Sequence, residues 1–178
     1  MKENLEKILI DADTIKKKVQ EVGVRLSQDY KDKNPIAICI LKGSVIFFAD
    51  LIREIKVPIE IDFIKASSYG KRTVSSGKVE MSGDLSIDVK GRSVLLVEDI
   101  VDSGNTLKFF TEFFKEKGAS EVKICTLLDK PDRRVVDLDV DYTCFEIPDE
   151  FVVGYGLDFA QQYRNMPEIG VLKEACYR

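Results

Sequence analysis

The chain has 178 residues, 44% of them hydrophobic and 33% charged, and its formal net charge is −4 at pH 7. A chain of this length and composition is expected to form one globular domain, residues 1–178, whose core needs no disulfide or structural metal. No apolar run approaches the roughly 20 residues that span a bilayer, and charges interrupt the apolar residues near the N-terminus, so we expect a cytoplasmic protein without a membrane partner. The acidic balance also argues against general nucleic-acid binding.

The most restrictive count is that of histidine, which is zero. Ser-His-Asp triads, Cys-His dyads and His-ligated zinc are therefore excluded, and acid–base catalysis would depend on Asp, Glu, Lys or Tyr. Any bound metal is expected to be a hard ion on oxygen ligands, Mg²⁺ before others. The cysteines form no CxxC pair, and we expect free, buried thiols at all four positions: Cys39, Cys125, Cys144 and Cys176.

The first part of the chain reads as a helix, a strand and a second helix. Apolar residues at helical spacing predict an amphipathic helix over 15–30, with Asp13-Thr14 as its N-cap. Residues 35–41 form a continuous apolar run, which is typical of a strand covered on both faces. A glycine turn at 42–44 then leads into a helix through Ile52.

The middle of the chain changes character. Residues 57–64 alternate apolar and polar side chains and predict a strand. The stretch that follows, to residue 90, is polar, glycine-bearing and weakly periodic, so we expect a long mobile loop, at about 66–80, with a short strand near 79–81. A disordered surface insertion would have the same composition.

The second half again alternates strands and helices. Residues 93–97 predict a buried strand, residues 107–114 a helix that stops near Gly118, and residues 121–128 the next strand. Strand-like runs follow at 142–147 and 151–155. This order indicates an α/β fold, a mainly parallel twisted sheet flanked by helices. Ligands of such sheets bind beyond the carboxyl ends of the strands.

Residues 94–107, VLLVEDIVDSGNTL, fall at such a strand end. A strand that feeds a glycine turn and a helix gathers unpaired backbone N–H groups, and these bind anions such as a phosphate monoester. Three carboxylates precede the helix, at Glu98, Asp99 and Asp102, and they would repel a lone phosphate. They suit a ligand that also carries hydroxyls or Mg²⁺, such as a ribose 5-phosphate. The alternative is that Asp99 and Asp102 have a structural role only, as turn and capping residues.

Several motifs, in the expected order, resemble those of one family. The stretch VLLVEDIVDSGNTL resembles the phosphoribosyl pyrophosphate (PRPP) signature of the type I phosphoribosyltransferases. The resemblance narrows to the hypoxanthine-guanine phosphoribosyltransferases through ILKGS at 40–44, SSYG at 67–70, LLDKP at 127–131 and FEIPDEFVVGYGLD at 145–158. The turn reads D-S-G-N-T where many relatives have D-T-G-x-T, and serine keeps the hydroxyl. This resemblance adds to the fold a small hood region formed by the N- and C-terminal segments.

The resemblance implies transfer of the phosphoribosyl group of PRPP to N9 of a 6-oxopurine, with Mg²⁺, giving a nucleoside monophosphate and pyrophosphate. Asp102 would be the catalytic acid/base at purine N7, and Lys130 would donate to O6. Phe151 would stack on the purine, with Val152 and Asp158 beside it. The PRPP-binding residues would be Glu98, Asp99, Asp102, Ser103, Gly104, Asn105 and Thr106.

The resemblance also implies a pyrophosphate site and a metal site. Lys42, Gly43 and Arg164 would bind pyrophosphate, and in the family a cis peptide often joins the residues that match Leu41 and Lys42. The metal would be held by Glu98, Asp99 and Asp158. Ser68 and Tyr69 would belong to a loop that closes over the site and excludes water. Family members are dimers or tetramers, so a homo-oligomer is expected.

The sequence leaves other interpretations open. By pattern alone, Lys130 would be a solvated lysine before a proline turn, and Phe151 with Val152 would be an ordinary core strand. A non-catalytic regulator with this fold would also need a phosphate site, and a transferase for another base is a third alternative. The sequence does not rank hypoxanthine, guanine and xanthine.

Overall fold

The computed structural model describes residues 1–68, 79–82 and 84–177. Its helices are α1 (Ala12–Asp29), α2 (Val45–Glu54) and α3 (Asn105–Glu116), with three short 3₁₀ turns. Its strands are β1 (Leu5–Ile10), β2 (Ile36–Leu41), β3 (Glu60–Ser68), β4 (Val79–Ser82), β5 (Ser93–Val101), β6 (Glu121–Asp129), β7 (Tyr142–Glu146), β8 (Val152–Val153) and β9 (Ile169–Leu172).

The larger sheet follows the order β4-β3-β2-β5-β6-β7, in which five neighbouring strands are parallel and β4 is antiparallel. The central strands β2 and β5 are buried along most of their length, as expected for strands covered on both faces. Helices α1 and α2 pack on one face through one hydrophobic cluster, and α3 packs on the other face through a second. The predicted α/β sheet is therefore confirmed.

A smaller antiparallel sheet with the order β1-β9-β8 joins the two ends of the chain. It forms the hood that the resemblance implied. Its strands β1 and β9 were missed by pattern, because charged residues interrupt LEKILI and because IGVL is only four residues long. The apolar side chains of this sheet join residues 159–166 in a third small cluster.

The predicted N-cap of the first helix was wrong. The cap is Asp11, whose carboxylate accepts hydrogen bonds from the Thr14 amide and the Thr14 hydroxyl, each at 2.9 Å. Asp13 lies inside the first turn. The apolar period begins only at Ile15, so it shows the buried stripe of the helix but not the polar turn that opens it.

The predicted loop at about 66–80 was too long at both ends, because β3 continues to Ser68 and β4 begins at Val79. Ser68, at the end of β3, pairs with Val79, at the start of β4. Tyr69 lies outside the described residues, as does the rest of 69–78. The four cysteines are free thiols as predicted, but only Cys39, Cys125 and Cys144 are buried, and Cys176 is partly exposed. Within the described residues, no helix combines the length and the apolar character that crossing a membrane requires.

Candidate active site

Strand β5 continues four residues beyond its predicted end, so Glu98 and Asp99 lie within the strand. Glu98 is buried, and its Oε1 accepts a hydrogen bond from the Asp99 amide at 3.1 Å. Burial, and next the charge of Asp99, raise the pKa of Glu98 well above its usual range. Two adjacent carboxylates at a buried strand end are the kind of group that a cation or a sugar diol would stabilise.

The turn after β2 lies directly against this acidic pair. A Cβ on Gly43 would stand 1.6 Å from Asp99 Oδ2, so only a glycine leaves room for the carboxylate in this position. The peptide bond between Leu41 and Lys42 is cis, as the resemblance implied. The predicted pyrophosphate turn and the predicted ribose carboxylate are therefore in contact.

The turn after β5 opens α3 in the manner of an anion site. Gly104 is the N-cap, with a φ of +85°, and as a glycine it has no side chain with which to cap the helix. The interpretation of Asp102 as a capping residue of this helix is therefore wrong. The Asn105 amide donates a hydrogen bond to Ser103 Oγ at 3.4 Å, and a cavity of about 90 Å³ adjoins the turn. It is lined by Glu98, Ile100, Val101, Asp102, Ser103, Gly104, Thr106 and Leu107.

Strands β5 and β6 bring Asp102 and Lys130 side by side. Val101 pairs with Asp129 across the two strands, and the Lys130 amide donates to the Val101 carbonyl at 2.9 Å. Asp102 and Lys130 each follow one member of this pair, at the carboxyl edge of the sheet. Lys130 is buried, so its interpretation as a solvated lysine is wrong. Its Nζ donates to the Glu150 carbonyl at 2.8 Å.

Two charged residues that the sequence reasoning missed connect this pair. Arg133 donates through Nε to Asp102 Oδ1 at 2.5 Å and through Nη1 to Asp149 Oδ2 at 3.0 Å. Asp149 Oδ1 then accepts from Lys130 Nζ at 3.3 Å. Hydrogen bonding to Arg133 lowers the pKa of Asp149, and bonding to Lys130 lowers it further. The sequence offered one weak signal for these two residues: Arg133 lies close to Lys130 in the chain, and Asp149 lies close to Phe151.

Phe151 and Val152 differ in exposure. Val152 is buried in β8, as a core residue would be, whereas Phe151 lies just before the strand with 38% of its surface exposed. The Phe151 ring stacks on Tyr177 with centroids 4.6 Å apart, and it meets the Phe159 ring edge-on at 5.7 Å. An aromatic ring supported in this way can present its exposed surface to a planar ligand.

Asp158 and Arg164 form an ion pair with a distance of 2.7 Å, in the segment between β8 and β9. Arg164 also donates to the Gly156 carbonyl at 2.7 Å. A Cβ on Gly156 would stand 2.0 Å from the Gly43 carbonyl oxygen, so this segment packs closely on the turn after β2. The contacts from Gly156 to Gly43 and on to Asp99 join the predicted pyrophosphate turn to the predicted ribose carboxylate.

The described residues contain no cluster of three or more potential metal ligands. Glu98 and Asp99 nevertheless fit a hard cation, because they are adjacent acids at a strand end and the first is buried without a basic partner among the described residues. Asp158 is engaged through Oδ1 with Arg164 and through Oδ2 with the Gln161 amide. Metal binding by Asp158 would require at least one of these bonds to open.

A larger cavity of about 440 Å³ lies between α1, α2 and residues 164–167. Arg164 is the only one of the described predicted site residues that lines it, so its volume does not mark the site. The strand ends give a better guide, since the predicted groups approach one another there.

Comparisons with known proteins agree with this arrangement. A family model described as "Phosphoribosyl transferase domain" matches residues 7–160. The chain is 52% identical over 177 residues to the hypoxanthine-guanine phosphoribosyltransferase of Bacillus subtilis (strain 168) and 51% identical over 177 residues to that of Streptococcus pneumoniae (strain ATCC BAA-255 / R6). Each alignment covers 99% of this chain and 98% of the relative.

Among solved structures, a hypoxanthine phosphoribosyltransferase from Staphylococcus aureus has a TM-score of 0.96 at 42% identity, covering 100% of this chain and 97% of that one. A hypoxanthine-guanine phosphoribosyltransferase from Bacillus anthracis has a TM-score of 0.88 at 44% identity, covering 95% and 99%. The chain therefore belongs to the phosphoribosyl transferase family and, within it, to the hypoxanthine-guanine phosphoribosyltransferases.

Proposed function

We propose that the protein transfers the 5-phosphoribosyl group of PRPP to N9 of hypoxanthine or guanine, with Mg²⁺, and releases IMP or GMP and pyrophosphate. The observation that carries this proposal is the pairing of Val101 with Asp129, which places Asp102 and Lys130 next to each other at the sheet edge. One residue is then available for N7 and the other for O6 of the same 6-oxopurine. The chain's membership of a transferase family supports the same chemistry.

In this reaction the purine N9 forms a bond to C1 of the ribose, and the bond from C1 to pyrophosphate breaks, with its electron pair leaving on the pyrophosphate. Positive charge develops on the ribose ring as the bond breaks. The carboxylates Glu98 and Asp99 would bind the ribose hydroxyls and stabilise that charge. The 5-phosphate would bind at the α3 N-terminus, through Asp102, Ser103, Gly104, Asn105 and Thr106.

A proton must leave the purine as N9 attacks, and Asp102 is the proposed acceptor at N7. Positioned proton transfer typically contributes about 10²–10⁴ in rate. Lys130 would donate a hydrogen bond to O6, and adenine, which carries a donor at this position, would leave the lysine without an acceptor. Phe151 would stack on the purine, and the backbone of Val152 would accept from its edge, beside Asp158.

The leaving pyrophosphate would bind to Lys42, Gly43 and Arg164. Mg²⁺ would be held by Glu98 and Asp99, with Asp158 directly or through water, and when bound it supplies positive charge to the phosphate oxygens. The segment that leaves β3 at Ser68 and continues with Tyr69 would close over the site and exclude water. We further propose that the enzyme is a cytoplasmic homodimer or homotetramer.

The test is turnover of PRPP and Mg²⁺ with hypoxanthine, guanine, xanthine or adenine, each offered separately, with nucleotide formation as the readout. Activity with oxopurines but not with adenine would support the proposal. The relative rates with hypoxanthine, guanine and xanthine would show which C2 substituent the enzyme prefers. A folded protein that binds PRPP or a nucleoside monophosphate but turns over none of the four bases would instead be a nucleotide-sensing regulator.

The role of Asp102 is tested by Asp102→Asn, which keeps the shape of the side chain and removes its basicity. We expect turnover to fall by about 10²–10⁴. The matched control is Asp13→Asn, in the exposed first turn of α1, where turnover should not change. Full activity of Asp102→Asn would show that the proton goes elsewhere.

A further inference from the structure

Among the residues that the structure describes, Arg133 is the one whose side chain contacts both the Asp102 and the Asp149 carboxylates. Its Nε binds Asp102 Oδ1 at 2.5 Å and its Nη1 binds Asp149 Oδ2 at 3.0 Å, so a single guanidinium connects the turn after β5 with the turn after β7. The pairing continues from Asp149 Oδ1 to Lys130 Nζ at 3.3 Å. The two residues that would contact N7 and O6 are therefore joined through Arg133 and Asp149.

The local chain places Arg133 for this contact. Residues Pro131–Arg133 form a short 3₁₀ turn directly after β6, with Pro131 at its start. The Arg133 amide donates to the Lys130 carbonyl at 3.1 Å, and this bond turns the chain back toward the sheet edge. Two residues later, the Val135 amide donates to the Ser103 carbonyl at 3.1 Å. The turn is thus fixed on both sides of Arg133.

The bridge leaves hydrogen-bonding capacity free on each of the two site residues. Arg133 occupies Asp102 Oδ1, and within the described part of the chain Asp102 Oδ2 accepts no hydrogen bond. The ammonium of Lys130 carries three N–H donors, and its described partners are two, the Glu150 carbonyl and Asp149 Oδ1. One carboxylate oxygen and one ammonium hydrogen remain for a purine.

The bridge is not a strong contributor to stability. About half of each side chain is exposed, with values of 49% for Arg133, 46% for Asp102 and 50% for Asp149. Ion pairs with this exposure are screened by water and stabilise a fold little. What a planar guanidinium supplies here is geometry, because its donors lie in a fixed plane and a lysine ammonium cannot reproduce that arrangement.

We propose that Arg133 is a positioning residue for purine recognition: it orients Asp102 directly and Lys130 through Asp149, so that both meet one base together. This inference rests on the proposed function, because it takes Asp102 and Lys130 to be the groups at N7 and O6. Arg133 itself does not touch the reacting atoms. Its loss should therefore weaken the use of the purine while PRPP binding is retained.

The experiment compares Arg133→Gln, Arg133→Lys, Asp149→Asn and the double variant Arg133→Gln/Asp149→Asn with the wild-type enzyme. The control is Arg25→Gln, which removes an exposed arginine that pairs with Asp29 on α1. The readouts are kcat and KM for hypoxanthine, the equilibrium Kd for PRPP with Mg²⁺, and the ratio of hypoxanthine to adenine turnover.

We expect Arg133→Gln to lower kcat/KM for hypoxanthine by roughly 10- to 100-fold, since small misplacements of reacting groups have effects of this size. The Kd for PRPP should not change, and the preference for hypoxanthine over adenine should fall. Arg133→Lys should recover only part of the loss. The double variant should be no worse than the poorer single variant, because both residues act through one connection.

The proposal would be overturned if Arg133→Gln or Arg133→Lys had the kinetics of the wild type. It would also be overturned if Arg133→Gln weakened PRPP binding as much as purine use, because that would indicate a general distortion of the turn. Either result, with an active wild-type enzyme, leaves the proposed function in place. A wild-type enzyme silent with every purine would overturn the proposed function and, with it, the role of Arg133.

Discussion

Gly43 and Asp99 lie in direct contact across two neighbouring strands of the sheet. A Cβ added to Gly43 would come within 1.6 Å of Asp99 Oδ2 and 2.7 Å of its carboxyl carbon. The turn that would hold pyrophosphate and the carboxylate that would hold ribose therefore share one small volume. Since PRPP carries both groups on the same sugar, this contact would set the distance between the proposed pyrophosphate and ribose sites.

Gly43→Ala should therefore reduce activity much more than stability. The atom that the new methyl group meets is the end of a side chain, which can rotate away, but rotation would carry Asp99 out of its position. We expect kcat/KM for PRPP to fall roughly 100-fold, the scale of a misplaced reacting group. Thermal unfolding should show a midpoint close to that of the wild type.

The complementary control is Gly23→Ala, in the interface between α1 and α2. There the added Cβ would meet Glu54 Cβ at 2.4 Å and the Glu54 backbone at 3.0 Å. Backbone atoms cannot move aside cheaply, so this variant should lower the unfolding midpoint, while its folded fraction keeps its kcat. If Gly43→Ala instead lost stability and kept turnover, the contact with Asp99 would have no part in PRPP use.

The Tyr177 ring stacks on the Phe151 ring, and it should support purine binding by holding Phe151 in place. Aromatic pairs contribute about 0.5–1.5 kcal/mol beyond the area that they bury, so Tyr177→Ala should raise KM for hypoxanthine about 2- to 10-fold. Steady-state kinetics at saturating PRPP would measure it. Tyr177→Phe keeps the ring and should behave as the wild type; an equal rise in both variants would implicate the hydroxyl rather than the stacking.

The parts of the fold that the sequence predicted well are those with a repeated hydrophobic signal. The buried run at 93–97 and the apolar period of α3 each repeat a packing requirement several times, so the strand and the helix could be predicted from pattern alone. Strand β9 is only four residues long, and its identity depends on pairing with β1 at the other end of the chain. Such long-range pairing leaves no local pattern.

The candidate site divides in the same way. The carboxylates Glu98 and Asp99 could be selected from sequence because charge at the end of an apolar run is unusual. The bridge formed by Arg133 could not, because it depends on side chains that approach only when two strand ends are aligned. In the sequence, Arg133 is one of 27 basic residues, and nothing local distinguishes it.

Glu98 should make stability depend on pH. Burial raises the pKa of Glu98 above 4.5, its ordinary value, so the folded protein holds the proton more tightly than the unfolded chain does. The contribution of this group to the free energy of unfolding is then fully present below that ordinary value and is lost as pH rises toward the folded pKa. Glu98→Gln does not titrate and should gain stability relative to the wild type over this range.

Urea unfolding at a series of pH values, in the presence of a chelator, would measure the difference between the two proteins. The matched control is Glu116→Gln, at the exposed end of α3, whose difference from the wild type should not vary in this way. Mg²⁺ with PRPP should stabilise the wild type more than Glu98→Gln, because the neutral amide is a poorer cation ligand. Equal stabilisation of both would remove Glu98 from the metal and ribose site.

Variants of Gly104 and Gly91 separate the effect of backbone strain from that of crowding at the turn after β5, which is proposed to bind the 5-phosphate. Both have a positive φ, +85° and +71°, but a Cβ on Gly91 would meet nothing within 4 Å. A Cβ on Gly104 would meet Arg134 Cδ at 2.8 Å and Val136 Cγ2 at 2.9 Å. Gly91→Ala should therefore lower the free energy of unfolding by about 1–2 kcal/mol, the effect of a left-handed alanine.

Gly104→Ala should have that effect together with a second one, because the new methyl group must push residues 134–136 away from the turn. The same movement would disturb the N-terminus of α3, so the Kd for PRPP should rise in Gly104→Ala and stay unchanged in Gly91→Ala. Denaturant unfolding and PRPP titration of both variants would measure the two effects separately. Both variants could instead lose the same stability and keep the wild-type Kd for PRPP. The turn would then need Gly104 for its φ alone, and residues 134–136 would pack on the turn without shaping the proposed phosphate site.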